Sequence, residues 1–256
     1  MRFVRYENQS EEVTSGWVLD DQVGVVDGSI FSEFRRNEAN QPLSELKLLP
    51  PVQPTKIICV GRNYVAHAEE HKVEVPEIPL IFLKPPSSLI GHEASIVLPP
   101  QSMQVEHEAE LAVVIGKRGR WISLEEAAEY ILGYTIANDV TARDLQRQDG
   151  QWTRGKGFDT FCPLGPWLET DFSPADSLIT CMVNGETHQM ASTRDMVFNV
   201  QQIIAFSSSI MTLEPGDILL TGTPAGVGQL QAEDSVEITI EGIGTLRNKV
   251  VSEVPA

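Results

Sequence analysis

Positive charge is what this chain has least of. Lysine and arginine number 19 against 36 aspartates and glutamates, a formal charge of −17 with a pI near 4.6. That balance argues against a nucleic-acid surface, which would need a basic stripe. It also means that an anionic ligand must be met by cations gathered locally. Cysteine is scarce too: Cys59, Cys162 and Cys181 are odd in number and widely spaced, so no disulfide framework is expected. No apolar run approaches membrane-spanning length, and residues 1–7 lack the apolar core of a signal peptide. A soluble, cytoplasmic protein with no membrane partner is the expectation. Repeats and low-complexity tracts are also missing. What remains is an ordinary globular balance, 41% hydrophobic and 21% charged over 256 residues, ample for one sizeable core with a small appendage.

Residues 1–50 read as that small β appendage. Gly16-Trp17-Val18-Leu19, Asp20-Asp21-Gln22 and Val23-Gly24-Val25-Val26 have the strand-turn-strand order of a hairpin. Pro50-Pro51 and Pro54 mark the boundary, with a single domain over 51–256. Residues 56–61 form a buried strand that delivers Arg62-Asn63-Tyr64 to its end. Residues 105–116 are apolar, rich in valine and closed by Gly116, again a buried strand. Positions i and i+2 share a face of a strand, so Glu108 and Glu110 point the same way. A second apolar segment, 133–139, ends in Asp139. Three carboxylates brought together repel unless a cation sits between them, and a hard, oxygen-loving dication such as Mg²⁺ fits. A bare Glu-x-Glu more often marks a solvated acidic rim.

Residues 63–71 read as a short helix with Asn63 as N-cap. His67, Glu70 and His71 fall at i, i+3 and i+4, on one helical face. The pentapeptide matches the H-x-x-E-H zinc pattern, but that reading needs a third ligand and a long hydrophobic helix, and two prolines between 73 and 79 stop this one early. A polar surface helix accounts for the same residues. Ser123 and Glu126 suggest a capping box opening a helix through Ile131 that ends at Gly133. His92 and Glu93 read as solvated, and Cys162 as core. Asn199 with Gln202 caps a helix whose apolar stripe is Val200, Ile203, Ile204, Ser207, Ile210 and Met211. Residues 236–240 and 246–250 make a last hairpin. Strands dominate, predicting an α+β, predominantly β fold: a mixed β-sandwich roll with peripheral helices.

Several motifs, in order, resemble the fumarylacetoacetate hydrolase family: Gly61-Arg62-Asn63-Tyr64, Thr141-Ala142-Arg143-Asp144-Leu145-Gln146, residues 151–166 around Gly155-Lys156-Gly157, and Thr221-Gly222-Thr223-Pro224. The resemblance runs from Pro54 onward and is strongest to its acylpyruvase and 2-hydroxyhepta-2,4-diene-1,7-dioate isomerase-like branch. It implies the family's catalytic fold, a homodimer, and one Mg²⁺ or Mn²⁺ on Glu108, Glu110 and Asp139. It places His67 and Glu70 as a water-activating dyad on a lid helix, with Lys156 facing the substrate. Arg62, Arg143, Gln146 and Thr223 would orient a small anionic 2-oxo acid. The implied activity is hydrolysis of C–C bonds in acylpyruvates or β-diketo acids, with oxaloacetate decarboxylation from the same enolate. The alternative is isomerisation or decarboxylation of hydroxylated dienedioates. His107 stands where many members carry an aromatic residue; a supporting contact behind the metal ligands is open to it, and it is left unassigned.

Overall fold

The computed structural model describes residues 1–8 and 10–254. Strands dominate, as the sequence predicts, in sheets of 13, five and three strands. The backbone of the largest runs through Gln22–Gly28, Val13–Leu19, Arg2–Glu7, Cys162–Glu169, Ile131–Asn138, Ala109–Ile115, Ile218–Leu220, Ile57–Gly61 and Leu80–Lys84. Both faces of its centre are covered. Leu111, Val113 and Ile115 pack with Ile179, Ile238 and Ile240 of the five-stranded sheet. Ala112 and Val114 face the opposite way, onto Ile57, Leu164 and Ile218. That two-sided burial is why 111–115 is apolar at every position instead of alternating.

The hairpin near the N-terminus forms as expected. Asp20 and Asp21 turn it at φ 48° and 60°, the mirror-image turn that matches strand twist. Arg2–Glu7 then joins the large sheet, with Arg2 opposite Glu169 and Phe3 opposite Leu168. The N-terminal amine lies 2.7 Å from Glu169 Oε1, an ion pair between these two neighbouring strands.

Four local readings change. The stretch 105–116 is two strands, Val105–His107 and Ala109–Ile115, which pair with different sheets. Glu108 is the joint between them. Residues 123–131 contain only a single 3₁₀ turn, Ala127–Tyr130, because strand pairing already starts at Ile131. The Ser123–Glu126 contacts form regardless, with Ser123 Oγ donating to Glu126 at 2.9 Å. The helix Val65–Glu70 is capped by Tyr64 without a side-chain bond. Asn63 is instead wholly buried, donating to Thr221 O at 2.7 Å and Phe198 O at 3.0 Å. In the helix Val200–Ile210 the Asn199–Gln202 capping box is present, but Ile210 turns outward and is exposed. Among the described residues no helix is long and apolar enough to cross a membrane.

Candidate active site and metal centre

The strands that end at one pole of the large sheet bring the predicted residues together. Ala109 lies opposite Asn138, and Glu110 opposite Ala137. This register sets Glu108 beside Asp139, and the Asp139 amide donates to Glu108 O at 2.9 Å. Asn138 Oδ1 accepts the Glu108 amide at 2.9 Å, holding the joint in place. Ile218–Leu220 runs parallel to Ile57–Gly61 and antiparallel to Ala109–Ile115, so Thr221-Gly222-Thr223 and Arg62 emerge at the same pole. Gly222 sits at φ +95°, where a Cβ would come 2.7 Å from Asn63 Cβ. Its amide donates to Glu110 Oε2 at 2.7 Å. Glycine is required there because only it tolerates both the angle and the approach.

The carboxylates Glu108, Glu110 and Asp139 are all buried, and one oxygen from each lies within 4.8 Å of the others. Around them sit buried cations. Lys156 donates to Glu108 at 2.7 Å and to Asp139 at 2.6 Å. Arg143 donates to Glu106 Oε2 at 2.7 Å, to Glu108, and to Gln146 Oε1 at 2.7 Å. Lys84 lies 2.7 Å from Asp139 Oδ1 without hydrogen-bond alignment, and donates to Val140 O at 3.1 Å. These pairs explain the ionisation pattern. Burial pushes the Glu108 carboxyl up, but Lys156 and Arg143 outweigh it and hold it well below the usual range. Burial likewise disfavours the charged Lys156, and Asp139 and Glu108 overcome it, so the amine stays protonated.

Glu110 is the exception. Among the described residues it makes no ion pair and accepts only the Gly222 amide. Burial first, then the charges of Asp139 and Glu108, push its carboxyl well above the ordinary value. Four buried acids (Glu106, Glu108, Glu110, Asp139) face three buried cations (Lys84, Arg143, Lys156). An uncompensated buried carboxylate is costly. Glu110, together with the unaligned Oδ1 of Asp139, fits a hard dication bound by Glu108, Glu110 and Asp139.

Above this floor lies a cavity of about 420 Å³. Of the ten residues named from the sequence, Arg62, His67, Glu108, Glu110, Asp139, Arg143, Gln146, Lys156 and Thr223 line it, and Glu70 does not. His67 Nδ1 is 3.5 Å from Glu70 Oε2 and is not aligned to bond. Both Glu70 oxygens accept the Gly226 amide at 3.2 Å. Burial lowers His67 below its usual value, so it is a neutral base near pH 7. Thr223 Oγ1 donates to Ala109 O at 2.9 Å and accepts from Gln189 at 2.7 Å. Arg62, at φ 59°, makes no ion pair among the described residues.

Sequence reading missed Lys84, Glu106 and Gln189. Lys84 ends a strand just before Pro85-Pro86, and Glu106 precedes Glu108 by two positions; both signals were available. Gln189 had none. It is fully buried, and its amide oxygen accepts from Ala109 N at 3.0 Å and lies 3.1 Å from His107 Nδ1. Its amide nitrogen donates to Thr223 Oγ1 and, at 2.8 Å, to Pro224 O.

Comparison with known proteins identifies the family. The family described as fumarylacetoacetate (FAA) hydrolase C-terminal matches residues 56–251, and the one described as Rv2993c-like, N-terminal matches residues 1–51. The mitochondrial oxaloacetate tautomerase Fahd2a of Rattus norvegicus is 49% identical over 222 residues, 82% of this chain and 71% of that protein. A crystal structure of 2-hydroxyhepta-2,4-diene-1,7-dioate isomerase from Mycobacterium marinum superposes with a TM-score of 0.91 at 42% identity, covering 100% of both chains. Maleylpyruvate hydrolase from a Sphingobium species, solved with manganese(II) and pyruvate, gives 0.81 at 31% identity over 99% of this chain and 100% of that one.

Proposed function

Since the chain belongs to the fumarylacetoacetate hydrolase family, we propose that it is a divalent-metal-dependent enzyme that interconverts the keto and enol forms of a small 2-oxo dicarboxylic acid such as oxaloacetate. The observation that carries this reading is the buried floor, in which three carboxylates meet Lys156 and Arg143 with only Glu110 uncompensated. A Mg²⁺ or Mn²⁺ held by Glu108, Glu110 and Asp139 supplies Lewis-acid stabilisation of a substrate oxyanion. By charge count, a dication turns the floor from net −1 to net +1 when all four acids are ionised. That is the sign an anionic substrate needs in a chain of charge −17.

The chain's own groups divide the remaining work. Lys156 uses two of its three N–H donors on Glu108 and Asp139 and keeps the third for the developing oxyanion. Arg143 spends donors on Glu106, Glu108 and Gln146, so it fixes the floor. Arg62 and the amide hydrogens of Gln146 are left to hold substrate carboxylates. His67, neutral and lining the cavity, takes the proton from the carbon beside the keto group. The C–H bond breaks as the proton passes to His67, and the imidazolium so formed returns it to the enolate oxygen, which forms the O–H bond and leaves His67 neutral again. Tautomerisation asks nothing further.

A second reading, C–C hydrolysis of acylpyruvates, is favoured by the nearness of Glu70 to His67. Hydrolysis adds a water that must be positioned and deprotonated. Parallel assays of oxaloacetate enol consumption and acylpyruvate cleavage, on wild type and Glu70→Ala, separate the two. Under the tautomerase reading, wild type accelerates the enol–keto step and Glu70→Ala keeps most of that rate. Efficient acylpyruvate cleavage that collapses by about two to four orders of magnitude in Glu70→Ala, with no tautomerase activity, would replace it by the hydrolase reading.

A further inference from the structure

A second group of metal-binding side chains stands apart from the carboxylate floor. His67 and Glu70 lie on the helix Val65–Glu70, and His71 is its C-cap. Their ligand atoms lie within 4.8 Å of one another. The imidazoles meet edge to face with centroids 4.6 Å apart. His67 is 7% exposed, and its Nδ1 has no hydrogen-bond partner; the Nε2 of His71 is likewise buried and unpartnered. A buried polar nitrogen left unpaired costs about 1–3 kcal/mol, and here two of them sit side by side. Each has a lone pair to give. Both residues line the cavity.

We propose that His67, Glu70 and His71 form a separate site for a borderline transition-metal dication such as Zn²⁺ or Co²⁺, and that its occupation inhibits the enzyme by sequestering His67. Ligand chemistry keeps the two sites distinct. Carboxylates suit Mg²⁺ and Mn²⁺, whereas imidazole suits Zn²⁺, Co²⁺ and Ni²⁺. Three protein ligands leave the fourth tetrahedral position open. Glu70 can bind the ion while still accepting the Gly226 amide, since a carboxylate has about four lone-pair sites. The three ligand atoms already lie within 4.8 Å of one another, so side-chain rotation brings them together without moving the helix. Binding stands on this geometry alone; inhibition rests also on the role of His67 proposed above.

Calorimetric titration of Zn²⁺ into Mg²⁺-saturated protein tests the site. Wild type is expected to take up one Zn²⁺ per chain that excess Mg²⁺ does not displace. His71→Ala and His71→Gln are both expected to bind it at least about tenfold more weakly. Visible absorption of bound Co²⁺ should survive Glu110→Gln and need at least about tenfold more Co²⁺ to develop in either His71 variant. Zn²⁺ that is displaced by Mg²⁺, or lost in Glu110→Gln yet retained in both His71 variants, would place it on the carboxylates and overturn the proposal. Zinc binding as expected, with turnover unaffected, would overturn the inhibition and the proton-transfer role of His67 while leaving the site standing.

Discussion

The floor of the cavity and the helix above it are built on opposite terms. Glu108, Asp139, Arg143 and Lys156 are each at most 5% exposed, and the two carboxylates lie at the ends of adjacent strands in the centre of the large sheet. Their contacts are short charge-assisted bonds with several partners apiece. The helix Val65–Glu70 has six residues, no side-chain cap, and a His67–Glu70 separation of 3.5 Å. A helix that short does not persist by itself. It is held by Asn63 at its start and by the Gly226 amide on Glu70. Charge is therefore placed where strand register fixes it, and the proposed proton transfer falls to a segment anchored at few points, the arrangement a lid would use.

The largest expected effect comes from breaking the floor. Asp139→Ala removes the anion facing both Lys84 and Lys156. Stranding buried cations in this way costs about 3–5 kcal/mol. Chemical denaturation should show that loss, with metal binding and turnover gone as well. A loss no greater than that of an ordinary surface variant would remove the contrast with the helix.

Second is His67→Ala. Loss of a general base lowers kcat by about two to four orders of magnitude. Mg²⁺ affinity and unfolding midpoint should stay close to wild type, because His67 bonds to none of the floor residues. Calorimetry beside steady-state kinetics checks both. A matching loss of Mg²⁺ affinity would join lid and floor into one unit.

How much of this was legible follows from the range of each contact. Glu108, Glu110 and Asp139 could be placed together from local signals, a Glu-x-Glu at one strand and the acid that ends the next, although Glu108 proved to be the joint between two strands and not an alternating position of one. The strand-rich fold and the hairpin at Asp20-Asp21 were local as well. Lys84 meets Val140 across 56 positions, and Gln189 meets His107 across 82. Period-2 patterning says that such residues face inward, not what they meet. The helix expected over 123–131 failed for a related reason. Its cap contacts formed, but pairing of Ile131 with Ile115 claimed the chain first. Asn63 fits a cap by type, yet full burial committed it to Thr221 and Phe198.

Third in size is Gln189→Leu. Gln189 ties Ala109, between two of the proposed ligands, to Thr223 and His107. Outer partners of this kind are worth about 10–100-fold in metal affinity. Mg²⁺ titration should show a loss in that range, with kcat at saturating metal much less affected. Equal losses in affinity and kcat would mean that Gln189 supports the fold at large and not the floor.

The smallest effect is a pH trend, and it separates Glu110 from its neighbour. In metal-free protein, burial and the nearby Asp139 and Glu108 raise the Glu110 carboxyl. Its unfolded counterpart ionises first, so its contribution is fully present below the ordinary glutamate value and is lost as pH rises toward the folded one. For one group the slope is at most about 1.4 kcal/mol per pH unit. Glu108 behaves oppositely: its lowered pKa contributes stability above the ordinary value that disappears as pH falls. His67, His71, His92 and His107, all lowered chiefly by burial, also lose stability as pH falls below the usual histidine value. Those limbs are common to wild type and Glu110→Gln, so the difference between their denaturation curves isolates Glu110. That difference should grow in favour of the variant as pH rises. Saturating Mg²⁺ should reverse it, because the metal binds, and so stabilises, the chain with Glu110 ionised more strongly than the variant. A pH-independent difference, unmoved by Mg²⁺, would show Glu110 to be compensated within the chain and would take away the charge vacancy on which the metal assignment rests.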